Sequence, residues 1–193
     1  NEAGSSDDEV ARLVAKWRAA TQVELSAQLG FSSREYLAND DRLQRAVVES
    51  WLQIDGTAEL AINNRFALRA PLPRGEVTLA DVVGILPFEN TIVAVELSGA
   101  QILQVLAQGE APFVEGLIRT ESDWLLAKTG RLIDTDETYR VLINSFMYEG
   151  GAGYDAIAKF DSAGFDTEIH YRQPLVDWLL EQDSSASRPL VLP

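Results

Sequence analysis

The segment at residues 60–99 constrains the fold most, because it places two strand patterns on either side of a turn and a short helical pattern. Leu60–Asn63 and residues 91–97 are apolar and rich enough in β-branched side chains to form strands. Two prolines and a glycine at positions 71, 73 and 75 mark the turn, and Leu79–Ile85 has a helical apolar pattern. Strands and helices that alternate in this way predict a mixed sheet covered by helices.

Capping signals predict further helices on both sides of this segment. Ser6 opens a capping-box sequence, and apolar residues at helical spacing predict a first helix that ends near Ala20. Asn39 or Asp40 can cap a second helix, and Ser98 opens another capping box before an apolar helix that ends at residue 109. These elements indicate one α/β domain of the α+β type.

Additional strands are predicted from shorter apolar patterns. Alternating apolar residues from 23 to 29 predict a strand directly after the first helix. Residues 114–119, 124–127 and 139–143 have the composition of further strands. Pro174 suits the first turn of a last helix, and the chain after Gln182 is expected to fray.

The net charge of −14, from 30 acidic and 16 basic residues, argues against nucleic acid as a partner. Phosphate backbones repel such a chain unless it carries a local basic stripe, and the sequence shows none. An apolar run of about 20 residues, which a membrane span requires, is also missing from the sequence. Cysteine is absent, which leaves the cellular compartment open because a well-packed exported domain does not need disulfides.

Metal-dependent catalysis is not expected from this chain alone. Phosphoesterases with two metal ions use several His, Asp and Asn ligands, whereas this sequence has one histidine, His170, and no cysteine. A single histidine in a strand-like segment favours a structural role. No residue is therefore assigned as catalytic or as a metal ligand.

Three motifs occur in an order that resembles a known domain. They are LPRGEVT at residues 72–78, LPFENT at 86–91 and GGAGY at 150–154, the last within YRVLINSFMYEGGAGY. Together they resemble the C-terminal, substrate-binding domain of the 5'-nucleotidase and UDP-sugar hydrolase family. The resemblance implies a connector helix and lead-in at residues 1–30, the domain itself at 31–183 and a tail at 184–193.

The resemblance also implies a set of substrate-binding residues. Phe88 and Phe146 match the two aromatic residues that stack on opposite faces of the nucleobase. Asn64 and Arg69 match a phosphate-binding loop, and Arg34 is the nearest match to a further phosphate-contacting arginine. From the residues alone, each phenylalanine could instead belong to the core, and Arg69 could pair with a surface carboxylate.

Two positions depart from the pattern of the family. Arg65, Phe66 and Ala67 stand where the family has glycines, and Ala152 stands where an Asp accepts hydrogen bonds from ribose. An alanine side chain cannot accept a hydrogen bond. The sugar is then held differently, with Glu149 or Asp155 as nearby acceptors, or ribose recognition has been lost.

Two functional hypotheses follow. The first is that the chain recognises the substrate, a nucleotide or related phosphoester, for a 5'-nucleotidase-like phosphohydrolase. A separate N-terminal metallophosphoesterase domain would then supply divalent metal ions and perform the hydrolysis, and family resemblance implies a periplasmic or extracellular location. The alternative is a non-enzymatic nucleotide- or small-ligand-binding module, or a degenerate structural remnant.

Overall fold

A computed structural model of the chain describes residues 3–108 and 112–193. Its helices are α1 (Ala3–Leu25), α2 (Asp41–Leu52), α3 (Leu79–Ile85), α4 (Gly99–Ala107), α5 (Ser145–Tyr148), α6 (Ile157–Phe160) and α7 (Gln173–Glu181). Its strands are β1 (Gln28–Ser32), β2 (Leu60–Asn63), β3 (Gly75–Thr78), β4 (Thr91–Ser98), β5 (Phe113–Glu115), β6 (Leu117–Arg119), β7 (Trp124–Leu126), β8 (Thr138–Asn144) and β9 (Phe165–His170).

The centre of the fold is a five-stranded mixed sheet with the order β5-β2-β8-β4-β9. Strands β2 and β8 are parallel, while β5, β4 and β9 pair antiparallel with their neighbours. Strands β1 and β3 form one antiparallel pair outside this sheet, and β6 and β7 form another. The predicted mixed sheet flanked by helices is therefore confirmed.

The central strands contribute side chains to a hydrophobic core on each face of the sheet. This is possible because successive side chains of a strand point to opposite faces. On β8, Leu142 packs into a core formed with α2, α3 and α7, whereas Val141 and Ile143 pack into a second core with α4. Strand β4 repeats this pattern with Ala94 on the first side and Val95 on the second. The sheet is thus the middle layer of the domain.

Local capping confirms several of the predicted helix starts. Asp40, rather than Asn39, caps α2 by accepting a hydrogen bond from Arg42 N at 3.0 Å. Ser98 forms the predicted capping box of α4, and Pro174 lies in the first turn of α7. The predicted end of α4 at residue 109 lies outside the described residues.

The first helix and the strand after it are present, but the bounds predicted for both were wrong. Helix α1 begins at Ala3, before the capping-box sequence, and continues through Val23 to Leu25. The strand then starts only at Gln28. Alternating apolar residues over so short a range also fit a helix whose side chains are exposed, and Trp17 and Val23 of α1 are exposed here.

The predicted strand at residues 114–119 is divided into β5 and β6 by Gly116. The backbone of Gly116 has a φ of 91°, which L-residues with a side chain rarely adopt. A Cβ atom there would also lie 2.2 Å from the carbonyl oxygen of Glu59. Because the chain turns at this glycine, β5 stays in the central sheet and β6 pairs with β7.

The end of the chain is packed rather than frayed, contrary to the prediction. Leu190 and Leu192 are buried in the core that contains α2 and α7. The Leu190 amide donates to Phe31 O at 2.7 Å and extends the β1 edge by a parallel bridge. Two leucines in a polar, proline-containing tail were too weak a signal to predict this contact.

None of the helices in the described parts of the chain combines the length and apolar content that a membrane span requires.

Candidate ligand-binding site

The topology brings three predicted site segments to one edge of the central sheet. Strands β2 and β8 are parallel, so their carboxyl ends, Asn63 and Asn144, lie at the same edge. Strand β4 runs antiparallel to β8, and the loop at residues 86–90 that precedes it therefore reaches this edge as well. In open sheets, the carboxyl ends of parallel strands are a common location for ligands.

A pocket of about 200 Å³ lies at this edge and contains four of the five predicted substrate-binding residues. Asn64, Arg69, Phe88 and Phe146 all line it, although up to 82 positions separate them in the sequence (146 − 64). Phe88 and Phe146 are each 42% exposed, so neither ring is a core residue. The remaining lining residues are Phe66, Ala67 and Asn90.

Asn144 joins the β2 end of the pocket to the β8 end. Its Nδ2 donates to Asn63 Oδ1 at 2.7 Å and to Asn64 Oδ1 at 2.9 Å. Its Oδ1 accepts from Met147 N at 2.8 Å and so caps α5, the helix that carries Phe146. One buried amide therefore fixes both the Asn64 loop and the start of α5.

The loop that carries Phe88 is held by residues at the junction of β9 and α7. The Phe88 amide donates to the Tyr171 hydroxyl at 3.2 Å, and the Tyr171 amide donates to Asn90 O at 3.0 Å. Arg172 donates through Nη1 to Leu86 O at 3.0 Å and through Nη2 to Glu89 Oε1 at 2.9 Å. The hydrogen bond to Arg172 lowers the pKa of Glu89, and burial raises the pKa of Tyr171.

The ring of Phe146 lies against a glycine in the turn at residues 150–153. A Cβ atom built on Gly151 would come within 2.4 Å of Phe146 Cε2, which leaves no space for a side chain. The turn contains three left-handed residues, Gly150, Ala152 and Gly153, with φ values of 90°, 56° and 84°. The glycine-rich turn therefore packs directly against the Phe146 ring.

Arg69 contacts an aromatic ring rather than a carboxylate. Its Cζ lies 5.1 Å from the centroid of the Phe88 ring, a distance at which a cation and an aromatic face attract each other. Among the side chains that the structure describes, at residues 10–108 and 112–193, no carboxylate forms an ion pair with Arg69. Its guanidinium is consequently available to an anion at the pocket.

Arg34 lies outside this pocket, and so do two other arginines of the same region. Arg34 is 3.5 Å from Asp40 and 4.6 Å from the centroid of the Tyr36 ring. Arg42 also pairs with Asp40, at 3.1 Å, and Arg45 pairs with Glu115 at 3.4 Å. The structure therefore does not bring Arg34 together with the other four predicted site residues.

Two further pocket features were missed in the sequence. The sequence pattern indicates only that Phe66 replaces a glycine, yet Phe66 lines the pocket. The motif match gives Asn144 no role of its own, although an Asn at a strand end directly before an apolar helical turn is a capping signal that could have identified it. Phe66 offered no comparable signal, because its position depends on how the loop folds.

His170 is placed on β9, where its Nε2 lies 3.3 Å from Glu89 Oε2. Burial and the nearby Arg172 lower the pKa of His170 below its usual value. Three or more His, Cys, Asp or Glu side chains do not converge anywhere in the described portion of the chain. The expectation that divalent metal ions bind to a separate catalytic domain stays a prediction.

The fold and the pocket define a class, that of mixed α/β domains with an aromatic-lined pocket at the strand ends. The family model described as "5'-nucleotidase, C-terminal domain" matches residues 19–159. This chain belongs to the 5'-nucleotidase family, as the motifs predicted.

Curated relatives agree with this assignment. The "Trifunctional nucleotide phosphoesterase protein YfkN" of Bacillus subtilis (strain 168) is 32% identical over 138 residues, which cover 59% of this chain and 9% of that protein. A "Probable 5'-nucleotidase" of Treponema pallidum (strain Nichols) is 27% identical over 151 residues, with 64% of this chain and 26% of that protein covered.

The crystal structure of a 5'-nucleotidase precursor from Thermus thermophilus superposes with a TM-score of 0.75 at 21% identity. The superposition covers 96% of this chain and 43% of that chain, and it shows that the fold is shared. The present chain spans less than half the length of each of these three proteins.

Proposed function

We propose that this chain is the substrate-recognition domain of a 5'-nucleotidase-like phosphohydrolase. Phe88 and Phe146 bind the two faces of a nucleobase, and Asn64 and Arg69 contact the phosphate. The observation that carries the proposal is the single pocket in which these four side chains meet. Arg34 stays a predicted phosphate contact that would act only from outside this pocket.

The chemistry of the four residues suits a nucleotide. An aromatic ring that stacks on a base contributes about 1–3 kcal/mol without requiring a particular base. A guanidinium that is not paired with a carboxylate can form two charge-assisted hydrogen bonds to a phosphate. Both kinds of group are present within one pocket of about 200 Å³.

Hydrolysis is assigned to a separate N-terminal metallophosphoesterase domain, which holds divalent metal ions and activates water by lowering its pKa. The protein partner that we propose for this chain is therefore the catalytic domain of the same enzyme. By analogy with the family, the enzyme acts in nucleotide catabolism in the periplasm or outside the cell.

A second candidate is a non-enzymatic binding module or a degenerate remnant. Ala152 favours it, because a methyl group stands where a ribose-binding carboxylate would be needed. Arg65 and Phe66 favour it too, since side chains restrict how closely the loop backbone can approach a phosphate. An upstream Asp- and His-rich metallophosphoesterase region in the natural open reading frame would favour the first proposal.

The decisive experiment is an NMR titration of AMP and adenosine into the wild-type chain and into Phe88→Ala and Phe146→Ala. We expect a dissociation constant for adenosine no tighter than roughly millimolar, since one stacked base gives about 1–3 kcal/mol and millimolar binding corresponds to about 4 kcal/mol. Each substitution should weaken AMP binding about 5- to 150-fold, the equivalent of about 1–3 kcal/mol.

Phe165→Ala is the matched control, because Phe165 is an exposed phenylalanine on β9 that does not line the pocket. It should leave the AMP titration unchanged. If AMP shifts neither aromatic ring, or if both pocket substitutions leave the curve as it is, the recognition proposal is wrong and the remnant is the better account. Metal-dependent release of phosphate from AMP by the 193-residue chain would contradict the assignment of catalysis to another domain.

A further inference from the structure

Three of the exposed phenylalanines of this chain converge on one small pocket. Phe66 is 56% exposed, while Phe88 and Phe146 are each 42% exposed, and all three line the same cavity. Each of these rings lacks part of the hydrophobic stabilisation that full burial would provide. Contiguous exposed apolar surface of this kind is typical of binding sites.

The backbone around Phe66 fixes its side chain at the pocket. The Ala67 amide donates to Asn64 O at 3.0 Å, which closes a turn with Phe66 near its tip. Buried Gln44 donates to Arg65 O at 3.1 Å on one side, and the Arg69 amide donates to Ile85 O at 2.9 Å on the other. Ala67 and Leu68 are buried, so the exposed position of Phe66 between two fixed points is set by the fold.

The polar groups of the pocket favour an anion over a sugar. Its polar lining consists of Asn64, Arg69 and Asn90, with no carboxylate among the lining residues. The Asn64 side-chain oxygen already accepts from Asn144, which reduces its capacity to accept from a sugar hydroxyl. Recognition of a ribose diol commonly uses an acidic side chain, whereas Arg69 offers an unpaired cation.

The size of the pocket points in the same direction. Pockets that enclose a drug-sized ligand have volumes of about 300–1,000 Å³. The present cavity, at about 200 Å³, admits a flat ring system but leaves the substituents of the ring at its mouth. Arg69, which stacks on Phe88, is positioned to meet a charged substituent there.

We propose that Phe66 is a third ligand-contacting aromatic residue, and that the pocket recognises a flat ring with an anionic substituent independently of sugar hydroxyls. This inference rests on the proposed nucleotide-recognition function and specifies its ligand class. The contacts are the ring faces of the three phenylalanines and the guanidinium of Arg69. The 2'- and 3'-hydroxyls of a bound nucleotide contribute no affinity.

The first test compares AMP with 2',3'-dideoxy-AMP, which keeps the ring and the phosphate but lacks both sugar hydroxyls. NMR titrations of the wild-type chain should give dissociation constants within about 2-fold of each other, because no lost hydrogen bond separates the ligands. A dideoxy compound that binds about 10-fold more weakly would show that sugar hydroxyls are recognised, and would overturn the inference.

The second test concerns Phe66 itself. Phe66→Ala should raise the dissociation constants of both ligands about 5- to 150-fold, the range for loss of one stacked aromatic residue. Phe66→Tyr keeps an aromatic face and should bind both ligands nearly as the wild type does. Phe165→Ala serves again as the exposed phenylalanine outside the pocket, and it should change neither constant.

The outcomes separate this inference from the proposed function. If Phe88→Ala and Phe146→Ala weaken AMP binding while Phe66→Ala does not, nucleotide recognition stands and the third aromatic contact is refuted. If wild type binds neither ligand, both proposals fail together. Because Phe66 is exposed, thermal unfolding of Phe66→Ala should match that of the wild type, so a loss of binding would not reflect a loss of folding.

Discussion

The two loops that carry the pocket phenylalanines are supported in different ways. The Phe88 loop, residues 86–90, is fixed by hydrogen bonds and an ion pair from Tyr171 and Arg172. The Phe146 segment, residues 144–154, is fixed by the Asn144 cap and by contact between the ring and Gly151. It contains three left-handed residues, whereas the Phe88 loop contains none.

Because their supports differ, the Phe88 loop and the Phe146 segment should lose their positions independently of each other. Each of the two forms one wall of the pocket. The Phe88 loop depends on polar partners that are distant in sequence, and two groups with shifted pKa values belong to this region, Glu89 within the loop and His170 beside Glu89. The Phe146 segment depends on local backbone geometry and on the absence of one side chain. Changes in pH should therefore act mainly on the first wall, and steric substitutions on the second.

The largest effect is expected from Asn144→Ala, which removes the cap of the Phe146 segment. The substitution leaves Met147 N without its acceptor and two asparagine oxygens without their donor. We expect a loss of about 2–4 kcal/mol in the free energy of unfolding, from the lost cap and the unsatisfied buried groups. Denaturant unfolding measures it.

The matched control is Ser98→Ala, which removes a helix cap that has no comparable links to neighbouring loops. Its expected loss is only about 1 kcal/mol. Equal losses for Asn144→Ala and Ser98→Ala would contradict the view that Asn144 joins two parts of the pocket.

A smaller loss is expected from Gly151→Ala, which tests the steric support of Phe146. The new Cβ would lie 2.4 Å from Phe146 Cε2, so the ring must move. We expect the free energy of unfolding to fall by about 1–2 kcal/mol, because a partly exposed ring can relieve the overlap. AMP binding should weaken by about as much as the loss of one stacking ring, and the Phe88 amide signals should not change.

Gly56→Ala provides the comparison for this substitution, since a Cβ atom at Gly56 meets nothing within 4 Å. It should alter neither stability nor binding appreciably. A Phe146 ring signal that stays in place in Gly151→Ala would show that the glycine contact does not position the ring.

Tyr171→Phe tests the support of the Phe88 loop. The substitution should lower the free energy of unfolding by about 1 kcal/mol, because one hydrogen bond is lost. The Phe88 amide loses its acceptor, and its hydrogen exchange should become faster while exchange in the Phe146 segment stays constant. Tyr139→Phe is the control, because the Tyr139 hydroxyl accepts from Asp134 N far from this loop. Slow exchange of the Phe88 amide in Tyr171→Phe would argue against this support.

The smallest effect is a pH dependence that arises at His170. Burial and Arg172 lower its pKa below 6.5, so the unfolded chain binds the proton more readily than the folded chain does. The stabilising contribution of the neutral imidazole is thus present above pH 6.5 and is lost as the pH falls through the lowered pKa. The Phe88 loop should lose amide protection over this window before the Phe146 segment does.

An NMR titration of the imidazole measures this pKa without ambiguity, because His170 is the one histidine of the sequence. His170→Asn should remove the change in stability over the same window. A measured pKa above 6.5 would reverse the sign of the effect and refute the prediction.

Much of the fold could be predicted because its signals are local. The caps at Asp40 and Ser98 and the apolar pattern of β4 depend on neighbouring residues, and the structure places these elements as predicted. The errors have two causes, a local pattern that fits both a helix and a strand and a tertiary contact. Helix α1 extends through an alternating pattern, and Leu190 and Leu192 pack into the core although their own segment has no clear period.

For the candidate site, four predicted residues do meet in one pocket, but sequence reasoning had relied on their order in three motifs. The sequence could not show that Arg34 lies beside Asp40 and outside the pocket. It also missed Phe66, since an aromatic residue between polar neighbours looks the same in a core, in a turn or at a pocket wall.

Sequence signals alone were enough to predict many of the helices and strands, the starts of several helices, and the family to which the chain belongs. These properties depend on short-range periodicity, capping and motif order. The tertiary structure decided that the ends of β2 and β8 meet, that Asn144 bridges them, and that Phe66 joins Phe88 and Phe146. The physical reason is that strand order and backbone turns, rather than local preference, decide which distant side chains share one cavity.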